Sequence, residues 1–99
     1  MEIIYHITTS AQWHKYSASD FYESETLEVE KFIHCSTKDQ VKGVLERYYA
    51  DQKTLLLLHI NPSILTAELK YEQATNAEYF PHVYGKINKS AVIKIESLD

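Results

Sequence analysis

The sequence predicts an α+β fold in a single domain spanning residues 1–99. Three observations carry that expectation. Segments patterned as strands outnumber those with helical spacing. The two kinds do not alternate as regular βαβ units. Ninety-nine residues hold one core, because two would each fall near the lower size limit for independent stability.

Taken in order, Ile3–Ile7 is rich in β-branched and aromatic residues and reads as a strand. A short helix follows, capped by Thr9 or Ser10, with Ala11–Tyr16 as its body. Residues 17–31 mix Ser, Asp and Glu around the anchors Phe21, Tyr22 and Leu27, the pattern of a long loop or a short pairing. Lys31–Cys35 reads as a second strand. Lys38–Tyr49 is the main helix, with Val41, Val44, Leu45, Tyr48 and Tyr49 on one face. Thr54–Ile60 is apolar on both faces and is expected at the centre of a sheet. Asn61-Pro62-Ser63 opens a helical turn, and Glu68–Gln73, Tyr79–Tyr84 and Ala91–Ile95 supply the later strands.

Composition narrows the function. Ten Lys and Arg against fourteen Asp and Glu give a net charge of −4, and Arg47 is the sole arginine. That balance opposes electrostatically driven binding to nucleic acid or anionic membrane. The longest wholly apolar run, Leu55–Leu58, is far too short to span a bilayer. The opening Met-Glu-Ile-Ile-Tyr-His carries an acid where a signal peptide carries cations. Cys35 is alone and cannot form an internal disulfide, so a reducing cytoplasm is the expected compartment. Eight tyrosines suit strands and semi-polar clefts.

Two segments share a chemical pattern. Tyr5-His6-Ile7-Thr8-Thr9-Ser10-Ala11-Gln12 and Ile33-His34-Cys35-Ser36-Thr37-Lys38-Asp39-Gln40 each set a histidine near a strand end. A hydroxyl pair follows in each, then Gln three positions after a Thr. Thr9–Gln12 and Thr37–Gln40 match the capping box, so each histidine stands a short step before a helix N-terminus. Such an end suits a phosphate or pyrophosphate. The same spacing is equally that of a well-capped strand-to-helix corner. A third histidine lies in Phe80-Pro81-His82-Val83-Tyr84-Gly85, where an extended chain puts Phe80, His82 and Tyr84 on one face. That stretch is either an edge strand ending in a turn or a ligand-facing strand.

On these segments the chain resembles, over essentially its full length, the bacterial family called domain of unknown function 952. The matching residues include Ile4-Tyr5-His6-Ile7, Trp13, Phe32-Ile33-His34-Cys35-Ser36-Thr37, Gln40-Val41, Tyr48-Tyr49, Leu55–Leu58, Tyr71-Glu72 and Phe80-Pro81-His82-Val83-Tyr84-Gly85. A glycine is usual before the family's Phe-Ile-His-Cys-Ser run, and Lys31 stands there in this chain. The family in turn looks like a compact relative of the ADP-ribosyltransferase fold. That resemblance implies a split antiparallel sheet with one main helix, short helices and a nicotinamide-dinucleotide cleft. Tyr5-His6 with Thr8 looks like the first-strand histidine motif, and His34-Cys35-Ser36-Thr37 like the second. His82 lies about where many transferases carry a catalytic glutamate. No glutamate fills that place, and Glu72 and Glu78 are only nearby. The tRNA 2′-phosphotransferase branch relies on several arginines, which this chain lacks.

The resemblance thus implies a cleft for NAD, ADP-ribose or a related nucleotide, with ADP-ribosyl or glycosidic-bond chemistry as the finer expectation. His34 and His82 are the expected catalytic pair, His82 as general acid or base and His34, with Ser36, orienting the reacting ribose. His6 and Thr8 are expected to bond ribose and carboxamide groups, Thr9 and Thr37 to present backbone donors to the pyrophosphate, and Tyr84 to stack on or bond a ring. No metal is expected. The alternatives are a non-catalytic binding or protein-interaction module and a zinc site built from His6, His34 and His82. Cys35 points away from His34 and reads as a buried hydrophobe. Trp13 reads as a helix-to-sheet anchor, His14 as exposed and His59 as a satisfied polar cap.

Overall fold

Strands β1 (Ile4–Thr9) and β4 (Leu55–Ile60) pair antiparallel, with Ile4 opposite Ile60 and Thr9 opposite Leu55, in a computed structural model that describes residues 2–74 and 77–98. β8 (Val92–Ser97) lies along the other side of β4, leaving the leucine-rich strand in the middle. That is why its run is apolar on both faces. Leu58 and Ile60 face one core, with Ile4, Tyr22, Ile33 and Val83. Leu55 and Leu57 face a second, with Ile7, Val44 and Phe80. A one-residue alternation would have exposed half of these side chains to water.

A second antiparallel sheet orders β3 (Ile33–His34), β6 (Tyr79–Tyr84) and β5 (Glu68–Gln73) side by side. A bridge between Tyr5 and Ser36, with N–H to carbonyl distances of 2.8 and 2.7 Å, joins the two sheets at a seam. β2 (Phe21–Tyr22) and β7 (Ile87–Asn88) form a two-stranded pair of their own. The helices are short: α1 (Ser10–His14), α2 (Leu27–Glu30) and α3 (Val41–Tyr48). The α+β class is as the sequence pattern predicts, and the antiparallel pairing is as the resemblance implies. Among the described residues, no helix is long and apolar enough to cross a membrane.

Several boundaries differ from expectation. The main helix is not continuous from Lys38; Lys38–Gln40 form a 3-10 turn before α3 begins. Gln40 explains the break. Its amide oxygen accepts from the Thr37 N–H at 3.0 Å, and its amide nitrogen donates to the Tyr79 carbonyl at 2.9 Å, tying the turn to β6. The stretch 17–31 resolves into β2 and α2. The second strand narrows to Ile33–His34, because Lys31 closes α2 in the left-handed conformation at φ 72°. The last strand runs Val92–Ser97, after a 3-10 turn over Lys89–Ala91. β7 was outside the expected elements altogether.

Lys31 therefore occupies the kind of backbone position that glycine fills without strain. Lys31→Gly is expected to raise stability by about 0.5–1 kcal/mol, the relief of the left-handed strain less the entropy glycine adds to the unfolded chain. An unchanged or lower urea midpoint would contradict that strain.

Trp13 is the anchor the sequence implies, packed on the first core beside Tyr22 with Lys89 Nζ 5.2 Å from its ring. His14 is exposed, and the His59 ring meets Glu96 at 3.0 Å. Cys35 is 1% exposed in the first core, and burial pushes its thiol well above the ordinary range.

Candidate functional site

The three histidines of the sequence motifs meet at the seam. β3 and β6 pair so that His34 lies opposite His82, and their rings are 5.1 Å apart. His6 stands across the seam on β1, its Nδ1–H donating to the His34 carbonyl at 2.7 Å. The face of β6 that carries His82 also carries Phe80 and Tyr84, as the two-residue period requires. Phe80 turns into the second core, with its ring 5.1 Å from that of His34. Tyr84, His82 and His34 instead line a cleft of about 820 Å³, with Phe32 stacked on His82 at 4.0 Å.

The carboxylate missing from the motif comes from the neighbouring strand. β5 runs antiparallel to β6 with Glu72 opposite Phe80, which sets its side chain diagonally beside His82. Glu72 Oε1 accepts from His82 Nδ1–H at 2.9 Å and from the Tyr84 hydroxyl in a short contact. Those two donors, Tyr84 first, hold the Glu72 carboxyl below the usual carboxylate range. The same bond raises the Tyr84 hydroxyl. With Nδ1 donating to Glu72, the His82 ring in its neutral form presents a lone pair at Nε2. That nitrogen is buried and has no hydrogen-bond partner among the described residues. Most buried polar atoms are satisfied, so this orphan sets His82 apart from the other histidines of the seam.

His6 is arranged differently from expectation. Its Nδ1 is spent on the His34 carbonyl and its Nε2 lies 2.8 Å from the Tyr22 hydroxyl, which lies 2.8 Å from Thr8 Oγ1. Both ring nitrogens are engaged within the protein and the residue is 5% exposed. The ring braces the seam, and has no polar atom left for a ribose. Burial pushes its pKa down to about 4, so the ring is neutral across the physiological range. His34 is also lowered, by burial first and then by the His82 charge, with Glu30 acting in the opposite direction.

Only Thr37–Gln40 closes as a capping box, since the Gln12 side chain donates to the Glu23 carbonyl at 2.9 Å instead of returning to Thr9. Both segments depart from their expected use. Gln12 N–H donates to Thr9 Oγ1 at 3.0 Å, and Ser10 N–H to the Thr54 carbonyl at 2.8 Å. Thr37 N–H is taken by Gln40 Oε1, and Gln40 N–H by the Thr37 carbonyl at 3.0 Å. These donors therefore do not face a pyrophosphate. Thr37 does not line the cleft, whereas His6, Thr8, Thr9, His34, Ser36, His82 and Tyr84 do. The zinc alternative loses His6 as a ligand, and among the described residues no group of three His, Cys, Asp or Glu is arranged to hold a metal ion.

Sequence reasoning missed two participants. The sequence places Glu72 only near the motif and Tyr22 only as an anchor of the loop. The β5–β6 register would have found the first. Nothing local to Tyr22 marks its bond to a histidine sixteen residues away.

A family model described as Protein of unknown function (DUF952) matches residues 7–95. The chain belongs to that family. Its fold is that of a solved protein from Caulobacter crescentus, CC0527. The crystal structure of CC0527 is 30% identical to this chain, with a TM-score of 0.89, over 98% of this chain and 86% of that one. A double-mutant crystal form is 28% identical with the same TM-score, over the same shares of the two chains. The solution NMR structure is 29% identical with a TM-score of 0.84, over 100% of this chain and 86% of that one. No curated protein matches the chain.

Proposed function

We propose that this DUF952 protein binds a small ligand of the NAD or ADP-ribose class at the seam, with Glu72 and His82 as its proton-transfer centre. The buried, unpartnered Nε2 of His82, held in one tautomer by Glu72, is the observation that carries the reading. A carboxylate fixes the ring, and the free nitrogen takes a proton from a group in the cleft. The volume of about 820 Å³ lies within the range of small-molecule sites. Phe32 and Tyr84 supply flat walls for a base. Ser36 and Thr8 lie within the lining to meet ribose hydroxyls, and His34 orients the sugar beside His82.

The reading keeps the likeness to the ADP-ribosyltransferase fold as its reason for choosing this ligand class. Glycosidic-bond chemistry builds positive charge on the ribose, which a carboxylate stabilises. Glu72 removes the objection that the motif itself lacks one. Thr9 and Thr37 keep a structural part in this proposal, as caps that fix where β1 and β3 end, and His6 positions His34 through its carbonyl.

An NMR titration of the labelled protein with NAD and with ADP-ribose tests this. Saturable shifts centred on His34, Ser36 and His82 are expected, together with a loss of affinity in His34→Ala and His82→Ala. Nicotinamide release would establish an enzyme, and saturation without release a binding module. No shift at millimolar ligand, or full affinity in both variants, would overturn the assignment.

A further inference from the structure

The charge around this cleft is one-sided. Glu25, Glu30 and Glu72 line it, and among the described residues no lysine or arginine does. Glu72 is answered by His82 and Tyr84, and Lys70 stands with its Nζ 5.0 Å from the Tyr84 ring. Glu25 and Glu30 have no ion-pair partner among the described residues. Their charges nevertheless reach the cleft walls: Glu30 favours a proton on His34, and Glu25 disfavours ionisation of Tyr49. The backbone donors nearest the two histidine motifs are already spent within the protein. Tyr49 and Phe32 line the cleft with ring faces, which attract cations, while the Tyr48 ring already carries the Arg47 guanidinium at 5.8 Å and the Tyr84 ring carries Lys70. His82, whose side chain is 6% exposed, belongs to the lining of this same space and carries a buried Nε2 with no hydrogen-bond partner among the described residues.

We infer that the cleft selects the cationic, phosphate-free end of its ligand, an aromatic cation carried on a ribose, and leaves any phosphate outside in solvent. The inference rests on the NAD-related reading above for its choice of ribose. A pyrophosphate placed among unpaired carboxylates meets repulsion, and no lysine or arginine among the described lining residues offsets it. An N-ribosyl pyridinium meets attraction from those carboxylates and from the ring faces.

The test is calorimetric titration of the whole chain with three probes: nicotinamide riboside, its 5′-phosphate and ADP-ribose. The riboside is expected to bind tightest, with the phosphate weaker by about threefold or more, the scale of one exposed charge pair. ADP-ribose is expected to be the weakest. Added salt weakens the riboside and strengthens ADP-ribose. Glu25→Gln with Glu30→Gln, at two exposed positions, narrows the gap between them. ADP-ribose binding as tightly as the riboside overturns the charge selection and leaves the nucleotide cleft standing. If none of the three binds, both readings fall.

Discussion

Phe80→Ala is expected to destabilise the protein by about 3–5 kcal/mol, the usual cost of emptying a large aromatic site in a packed core. Phe80 is 1% exposed and packs among Ile7, Val44, Leu55 and Leu57, the side chains that hold the central sheet against α3. Domains of this size are stable by roughly 5–15 kcal/mol in all, so the loss is a large share of the total. The same ring lies 5.1 Å from His34, so its removal also loosens the cleft wall from below. Urea melts measure the first effect, and the line widths of the His34 imidazole signals the second. Phe80→Leu retains most of the volume and is expected to cost about 1–1.5 kcal/mol. A loss below that figure in the alanine variant would mean that the β6 face does not pack as described.

Acid is expected to weaken the fold well above the carboxylate range, and His6 is the main cause. In the unfolded chain its imidazole titrates at its ordinary value of 6.5, whereas in the folded chain burial lowers it to about 4. Above pH 6.5 both states leave the ring neutral and the contribution is complete. As the pH falls below that, the unfolded chain takes up a proton that the folded chain refuses, and stability is lost until His6 itself protonates near pH 4. The loss attributable to this ring is about 2 kcal/mol at pH 5 and about 3 kcal/mol over the whole window. His34 adds to it with the same sign, because its folded value is also lowered. Glu72, lowered as well, contributes stability that disappears only at lower pH, as its carboxylate is protonated. His6→Gln retains a donor and an acceptor without a titrating group. Its urea midpoint at pH 7.5 is expected to drop, while its change between pH 7.5 and pH 5 becomes much smaller. Equal pH slopes in the two proteins would show that His6 is not the buried neutral ring described.

Much of the fold was legible because the physics behind it is local. Leu55–Leu58 could be satisfied only in a strand covered on both faces, and β4 is that strand. Asn61 caps the Ser63 N–H at 3.0 Å, as the Asn-Pro-Ser order implies. Cys35 alternates away from His34 into the core. The short pieces were not legible. β2 and β7 are two residues each and exist because distant segments meet. No periodicity can announce a strand of two residues.

The site divides along the same line. The sequence by itself determined the kinds of groups available: histidines near strand ends, hydroxyls after them, and Phe80, His82 and Tyr84 on one face of a strand. Those follow from the period of an extended chain and from capping chemistry. The capping pattern also carried its own correction, since a Thr–Gln pair that satisfies helix N–H groups leaves those groups unable to serve a phosphate. Only the tertiary structure decided which histidine was free. The pairing of β5 with β6 brought Glu72 beside His82, and the seam between the sheets spent both nitrogens of His6 on Tyr22 and the His34 carbonyl. Hydrogen-bond partners across strands depend on register and on the approach of separate sheets. Neither is written in the residues on one side of the bond.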